Sequence, residues 1–310
     1  MKKCNLFFVS YKRCLKYLLV VNFLFLLVVP VNASGKTDSF SIVTTLTSNE
    51  AVGRLGLIGG VLFDENSQRL YVCDSSNKRI LSYDSKFKYL DALQPGEGLN
   101  CPAGLVRTNN GKFIVVDPTK KSVLVIDTRK RSVKPLDFSK VPKADSFFPG
   151  RIAMDSADNI YIIDRANSRV LLFGPKLQFN REIVRDDTRV MSDVKVDRKG
   201  SIYTLSAIEG RVTKYDASGK KVLEFGKRGK DKGEFSFPVS LAIDGKGLIY
   251  VVDQHKSNVM VFDGKGKFLF DFSRFGWREG RLSFPSYIFI NNSNKIFVVD
   301  RGNSRISIFR

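Results

Sequence analysis

The chain has 310 residues, with 51 Lys+Arg against 31 Asp+Glu, and a formal net charge of +20. At 43% hydrophobic and 26% charged residues it reads as a folded globular chain and not a disordered tail. A single histidine, His255, excludes a multi-histidine metal site and most histidine-based catalysis.

The first predicted element is a targeting segment. Lys2, Lys3, Lys12, Arg13 and Lys16 form a basic start without acidic residues, and an apolar run follows from Tyr17 to Val31. Val31-Asn32-Ala33 then supplies the small-residue pattern that precedes a signal-peptidase cut. Residues 1–33 are therefore expected to be a secretory signal peptide, delivering the protein to the periplasm, cell envelope or extracellular space. An uncleaved anchor over residues 15–31 is the alternative, although the run falls short of the roughly 20 residues that span a bilayer. Removing residues 1–33 takes away five basic and no acidic residues and leaves +15, with Cys73 and Cys101 as the remaining cysteines.

A repeat fills residues 34–310, read as one domain. Leu70–Asp74, Phe113–Asp117, Ile160–Asp164, Ile249–Asp253 and Ile296–Asp300 share an apolar, β-branched or aromatic pattern ending in Asp, and Ile202–Ser206 fits with Ser at the last position. These anchors lie 42–47 residues apart, the period of a propeller or solenoid. Each unit reads as four strands. A short apolar strand such as Arg151–Asp155 comes first. A turn such as Ser156-Ala157-Asp158-Asn159 leads into the anchor segment, whose Asp is expected to accept N–H groups of the next turn. A third strand such as Asn258–Phe262 and a fourth such as Phe268–Phe272 complete the unit. Strands apolar on both faces suit a sheet packed between two others. The last unit ends at its third strand, and Phe40–Leu46 is a spare strand before the first unit. Pairing the two would close a ring, so the expected fold is an all-β, six-bladed β-propeller with four-stranded antiparallel blades.

Phe148-Pro149 through Asp155, then Asp164-Arg165-Ala166-Asn167-Ser168-Arg169 and again Asp300-Arg301-Gly302-Asn303-Ser304-Arg305, resemble the NHL repeat. The Gly-rich approaches Gly226–Phe235 and Phe275–Gly280 are similar to it as well. The resemblance implies the six-bladed fold. It does not select a function, because such propellers include RNA-binding modules, extracellular sensors, peptide-amidating lyases and exported proteins. The amidating-lyase chemistry implies a histidine-bound zinc, which one histidine cannot supply. A lactonase-type site implies calcium held among Glu, Asn and Asp, and the channel positions offer Asp193 alone. No metal and no cofactor is assigned.

Ligand sites in repeat folds are expected where equivalent positions stop matching. Four residues before the first-strand Asp stand Gly60, Gly104, Arg151, Asp193, Ser240 and Tyr287. Lys195 breaks an apolar series two positions on. Arg151, Asp193, Lys195 and Tyr287 are thus candidates for a ligand-binding channel mouth, or for a set of ion pairs and hydrogen bonds that plugs the channel. Lys227, Arg228 and Lys230 in one connecting loop, and Phe275, Trp277 and Arg278 in the corresponding loop of the next unit, are candidates for a binding face. Cys73 at the end of one second strand and Cys101 before the next first strand are expected to meet as a disulfide. The expected function is an exported, non-enzymatic scaffold that binds a protein, peptide or anionic polymer outside the cytoplasm. Nucleic acid is disfavoured by the signal, and an exported lyase or hydrolase with a channel-mouth site is the alternative.

Overall fold

The computed structural model describes residues 40–310, so the predicted signal peptide or anchor falls outside the described residues. Among the described residues no helix is long and apolar enough to cross a membrane. The chain forms six four-stranded antiparallel sheets, one per repeat. Blade 1 runs Ile58–Asp64, Arg69–Asp74, Arg79–Tyr83 and Tyr89–Leu93, and blades 2 to 5 repeat that meander. Blade 6 takes Tyr287–Ile290, Ile296–Asp300 and Arg305–Phe309 from the end of the chain. Its outer strand is Ile42–Leu46, which pairs antiparallel with Arg305–Phe309. The expected strand closure is therefore observed, and the edge that the third strand would expose is covered.

Alternation along the strands builds the core. In blade 3, Ile160 and Ile162 face blade 2, whereas Tyr161 and Ile163 face blade 4. The same two-residue period gives a hydrophobic cluster at each of the six blade interfaces, including that of blade 6 with blade 1. Second strands such as Phe113–Asp117 and Ile249–Asp253 are buried throughout, while the outer strand Phe268–Phe272 alternates between half-buried and exposed. The first strands stand side by side around the axis, each touching the next, with Ile58–Asp64 touching Tyr287–Ile290 to complete the circle.

The repeated carboxylates do two jobs. At the turn after the first strand, Asp155 Oδ1 accepts the N–H groups of Ala157 and Asn159, both at 2.9 Å, and the Tyr161 hydroxyl donates to Oδ2. Asp197 and Asp244 hold their turns with the same geometry. At the end of the second strand, the carboxylate chiefly grips the loop that approaches the first strand of its own blade. Asp117 accepts from Asn100 and Cys101 N–H, Asp253 from Ser236 and Phe237, and Asp300 from Ser283. The expected bond to the next turn is secondary, as from Lys120 to Asp117 and Lys256 to Asp253. Burial alone would raise Asp117. The Thr119 hydroxyl and the N–H groups of Asn100, Cys101 and Lys120 more than offset it and hold the carboxyl below its ordinary value.

Candidate functional site

The channel positions that differ between blades do converge. Arg151, on the first strand of blade 3, reaches across the axis. Its Nη1 donates to Gly59 O and, at 2.8 Å, to Ala103 O, and its Nη2 donates to Ser286 O at 3.4 Å. One guanidinium thereby binds blades 1, 2 and 6 to blade 3. The guanidinium lies beside Gly60, whose Cβ, if present, would stand in ordinary contact 3.8 Å from Nη1. Its Cζ sits 4.6 Å from the centroid of the Tyr287 ring.

Lys195 approaches the same ring, with Nζ 4.8 Å from its centroid, and pairs with Asp193 at 2.7 Å. Asp193 is fully buried, and its Oδ2 also accepts from Ser240 Oγ at 2.7 Å and from Leu241 N–H at 3.0 Å. Ser240 Oγ in turn accepts from Ile288 N–H. All four predicted mouth residues thus belong to one layer that crosses the channel, and Asp193 is fully engaged by that layer. Below it lies a mostly apolar cavity of about 180 Å³ lined from all six first strands, with Lys195 and Tyr287 at its wall.

Above the layer is the mouth, a cavity of about 330 Å³. Arg151 lines it, joined by Arg165, Arg301, Ser192, Ser286 and Cys101. Arg165 and Arg301 follow second strands, so the first-strand columns do not contain them. The residue that follows the second-strand anchor reads Ser75, Pro118, Arg165, Ala207, Gln254 and Arg301, so the signal was present one column away. It was absorbed into the Asp-Arg-x-Asn-Ser-Arg motif. Arg107, at the end of the first strand of blade 2, lies outside the mouth: it pairs with Asp64 at 2.6 Å and lies over Tyr71 and Phe113.

The expected disulfide is absent, and both cysteines are free thiols. Their surroundings differ. Cys73 is buried in the core between blades 1 and 2 with Tyr71, Ile80 and Leu105, whereas Cys101 lines the mouth. Burial raises the Cys73 thiol strongly. Burial and the neighbouring Asp117 charge raise Cys101, against a bond with the Ser75 hydroxyl. Neither is poised as a thiolate.

The two predicted loops are adjacent and alike in build, each closed by a parallel bridge, Arg228 with Phe235 and Phe275 with Leu282. In the loop before blade 6, Arg305 donates to the carbonyls of Trp277, Arg278 and Arg281, and Asn303 donates to Gly276 O. Asp300 holds both side chains. In the loop before blade 5, Lys256 does the equivalent work on the carbonyls of Lys230, Asp231 and Glu234. The exposed side chains then differ. Where one loop carries Arg228 and Lys230, the other carries Phe275 and Trp277, 54% and 73% exposed with ring centroids 5.3 Å apart. Phe284 is 51% exposed; its counterpart Phe237 stacks on His255, whereas the residue equivalent to His255 in the last repeat is Gly302, which has no ring to offer. Of the predicted cations, Lys227 is paired with Glu234 at 2.6 Å and Arg228 donates to Ile208 O, while Lys230 and Arg278 project into solvent.

No protein-family model matches the chain, and no curated protein matches it. Solved structures do. It is similar to a catalytically inactive virginiamycin B lyase from Staphylococcus aureus with quinupristin, at 11% identity over 81% of this chain and 80% of that one, with a TM-score of 0.60. It is similar to an auxiliary nutrient binding protein from Bacteroides ovatus, at 15% identity over 87% and 76%, with a TM-score of 0.65. A gluconolactonase from Xanthomonas campestris is similar at 13% identity over 82% and 86%, with a TM-score of 0.63. Lyase, nutrient binder and lactonase share the architecture, and at these identities the likeness establishes the propeller fold alone.

Proposed function

We propose that the chain is an exported, non-enzymatic NHL-type propeller that engages a protein, peptide or anionic polymer through the loops before blades 5 and 6. The observation that carries the reading is the Phe275–Trp277 pair. Two large rings are held in water on a loop whose backbone is fixed by Arg305 and Asn303. Exposed aromatics on a rigid frame lose little conformational entropy on docking, and the adjacent Arg228, Lys230 and Arg278 supply charge for an anionic partner. The Asp-x-x-Asn-x-Arg brackets of blades 1, 3 and 6 support the NHL assignment.

Trp277 is the sole tryptophan, so its fluorescence reports directly on this face. Immobilised wild-type protein should retain a species from the cell-envelope fraction that the Phe275→Ala/Trp277→Ala variant loses. The purified species should shift the Trp277 emission of the wild type, and Lys227→Glu/Lys230→Glu should weaken it. The aromatic variant changes exposed positions and should keep stability within about 0.5 kcal/mol, whereas Lys227→Glu also breaks the pair with Glu234, so its fold is checked by circular dichroism. Equal retention by wild type and aromatic variant would overturn the proposal. The enzyme reading is favoured by one observation, the cavity at the channel mouth. A stoichiometric, tightly held Ca²⁺ or Zn²⁺ in purified protein would move the assignment to it.

A further inference from the structure

We infer that the channel mouth is a site for a small ligand carrying two or more carboxylate or phosphate groups. It deepens the binding-module reading and rests on it for the face involved, but uses different residues. The mouth gathers Arg151, Arg165 and Arg301, and among the described residues no carboxylate side chain lines it. Every hydrogen-bond acceptor of Arg151 is a backbone carbonyl, so none carries a full negative charge. Arg165 and Arg301 are exposed at the rim and make no ion pair among the described residues. They belong to blades 3 and 6, which face each other across the ring.

A second observation points the same way. Ser286 Oγ is a buried hydroxyl without a hydrogen-bond partner, and Ser286 lines this cavity. The other two hydroxyls are occupied, Ser75 by Pro102 O and Ser192 by Leu205 O and Ala207 N–H. A buried hydroxyl left open beside three guanidinium groups is a donor without an acceptor. Guanidinium groups bind carboxylate and phosphate through paired, charge-assisted hydrogen bonds, and a concave wall of one sign concentrates the field that draws such ligands in.

The need for two anionic groups comes from the neighbouring groove. A cavity of about 530 Å³ over the junction of blades 6 and 1 shares Leu57, Ile58 and Arg301 with the mouth. It adds Arg54, and again no carboxylate side chain among the described residues lines it. Arg301 stands between the two, so one anionic group seats among Arg151, Arg165 and Ser286 and the second between Arg301 and Arg54.

Isothermal titration with citrate and, separately, with inorganic phosphate at fixed ionic strength in NaCl tests the site. Saturable binding of either probe is expected, with citrate the tighter because it offers more than one carboxylate. Arg165→Gln/Arg301→Gln alters two exposed side chains without ion-pair partners, so the ring should stay folded, as circular dichroism would verify. Binding should weaken at least about tenfold in that variant, the scale on which charge-assisted pairs act. Ser286→Ala should weaken it less, and Phe275→Ala/Trp277→Ala should leave it unchanged. Loss of citrate binding in the arginine variant assigns a polycarboxylate, and loss of phosphate binding alone assigns a phosphate-bearing ligand. No saturation by either probe, or equal affinity in the folded arginine variant, overturns the inference. Citrate binding that persists in an aromatic variant still able to capture its partner would sink the loop-face reading and leave this one standing.

Discussion

The carboxylate that ends each second strand shows how one side chain sets a whole loop. Asp300 accepts from Ser283 N–H, Asn303 and Arg305, and the remaining donors of Arg305 gather three carbonyls of the loop that carries Trp277. Blade 5 reaches the same end with displaced chemistry: Asn258 stands where Arg305 would be, and Lys256 ties down the loop from two residues earlier. Glu224 shows the electrostatic side of such pairing. Arg189 bonds it at 2.5 Å against a burial cost, and Lys221 adds a second cation at 3.1 Å, so its carboxyl falls from the ordinary 4.5 to about 2. A carboxyl depressed in the folded state adds stability above its unfolded value and loses it as pH falls towards its folded value. Acid titration of stability should therefore show a Glu224 contribution vanishing between about pH 4.5 and pH 2. Glu224→Gln should flatten that limb in urea unfolding measured across the range, and a limb identical to wild type would count against the pairing. The pair is partly exposed, so salt should reduce the difference.

At the scale of elements, the strands were legible throughout and the site only in part. A two-residue hydrophobic period, Asp-headed turns and a repeat of about 45 residues are local signals, and each blade follows from them. The closing strand was legible too, because an unpaired third strand at one end demanded a partner at the other. Arg151, Asp193, Lys195 and Tyr287 were found together because each breaks its own column. Arg165 and Arg301 break their column too, but each stands inside a repeated motif whose other members are fold braces, so the motif alone does not separate a brace from a rim cation. That distinction exists only when the ring brings blades 3 and 6 to face each other. The free thiols were illegible for a similar reason: adjacency of two segments is topological, but the direction of a side chain depends on the pleat. The closing strand invites a direct test. Phe40 stacks on Phe272 at 4.3 Å, Ile42 packs between blades 5 and 6, and Leu46 is buried between blades 6 and 1. At about 1.5–3 kcal/mol for each buried apolar side chain, a chain beginning at Ser48 should lose several kcal/mol against one beginning at Ser34. It should also self-associate along the bared strand Arg305–Phe309 in size-exclusion chromatography. Equal melting temperatures would show that the strand is dispensable.

Across the whole molecule, the hydrophobic clusters lie between blades and not within them. No blade can keep its core without both neighbours, which separates this ring from an open repeat array whose units melt piecemeal. Urea unfolding followed by far-ultraviolet circular dichroism and by hydrogen exchange of the second strands should give one coincident transition. Two separated transitions would contradict the shared cores. The formal charge is distributed unevenly on this frame: fold carboxylates absorb part of it in brackets and Glu234 pairs with Lys227, while the arginines of the mouth and Lys230 and Arg278 of the loops make no ion pair among the described residues. The pairing of Ile42 with Phe309 has a further consequence, for the order of events during synthesis. A ribosome makes Ile42–Leu46 long before its partner Arg305–Phe309, so the nascent chain cannot lock into its ring until that partner has been made. Until Arg305–Phe309 emerges, blade 6 lacks two of its strand pairings and the cluster between it and blade 1 is incomplete, so the closing strand waits unpaired, an open edge in search of any partner.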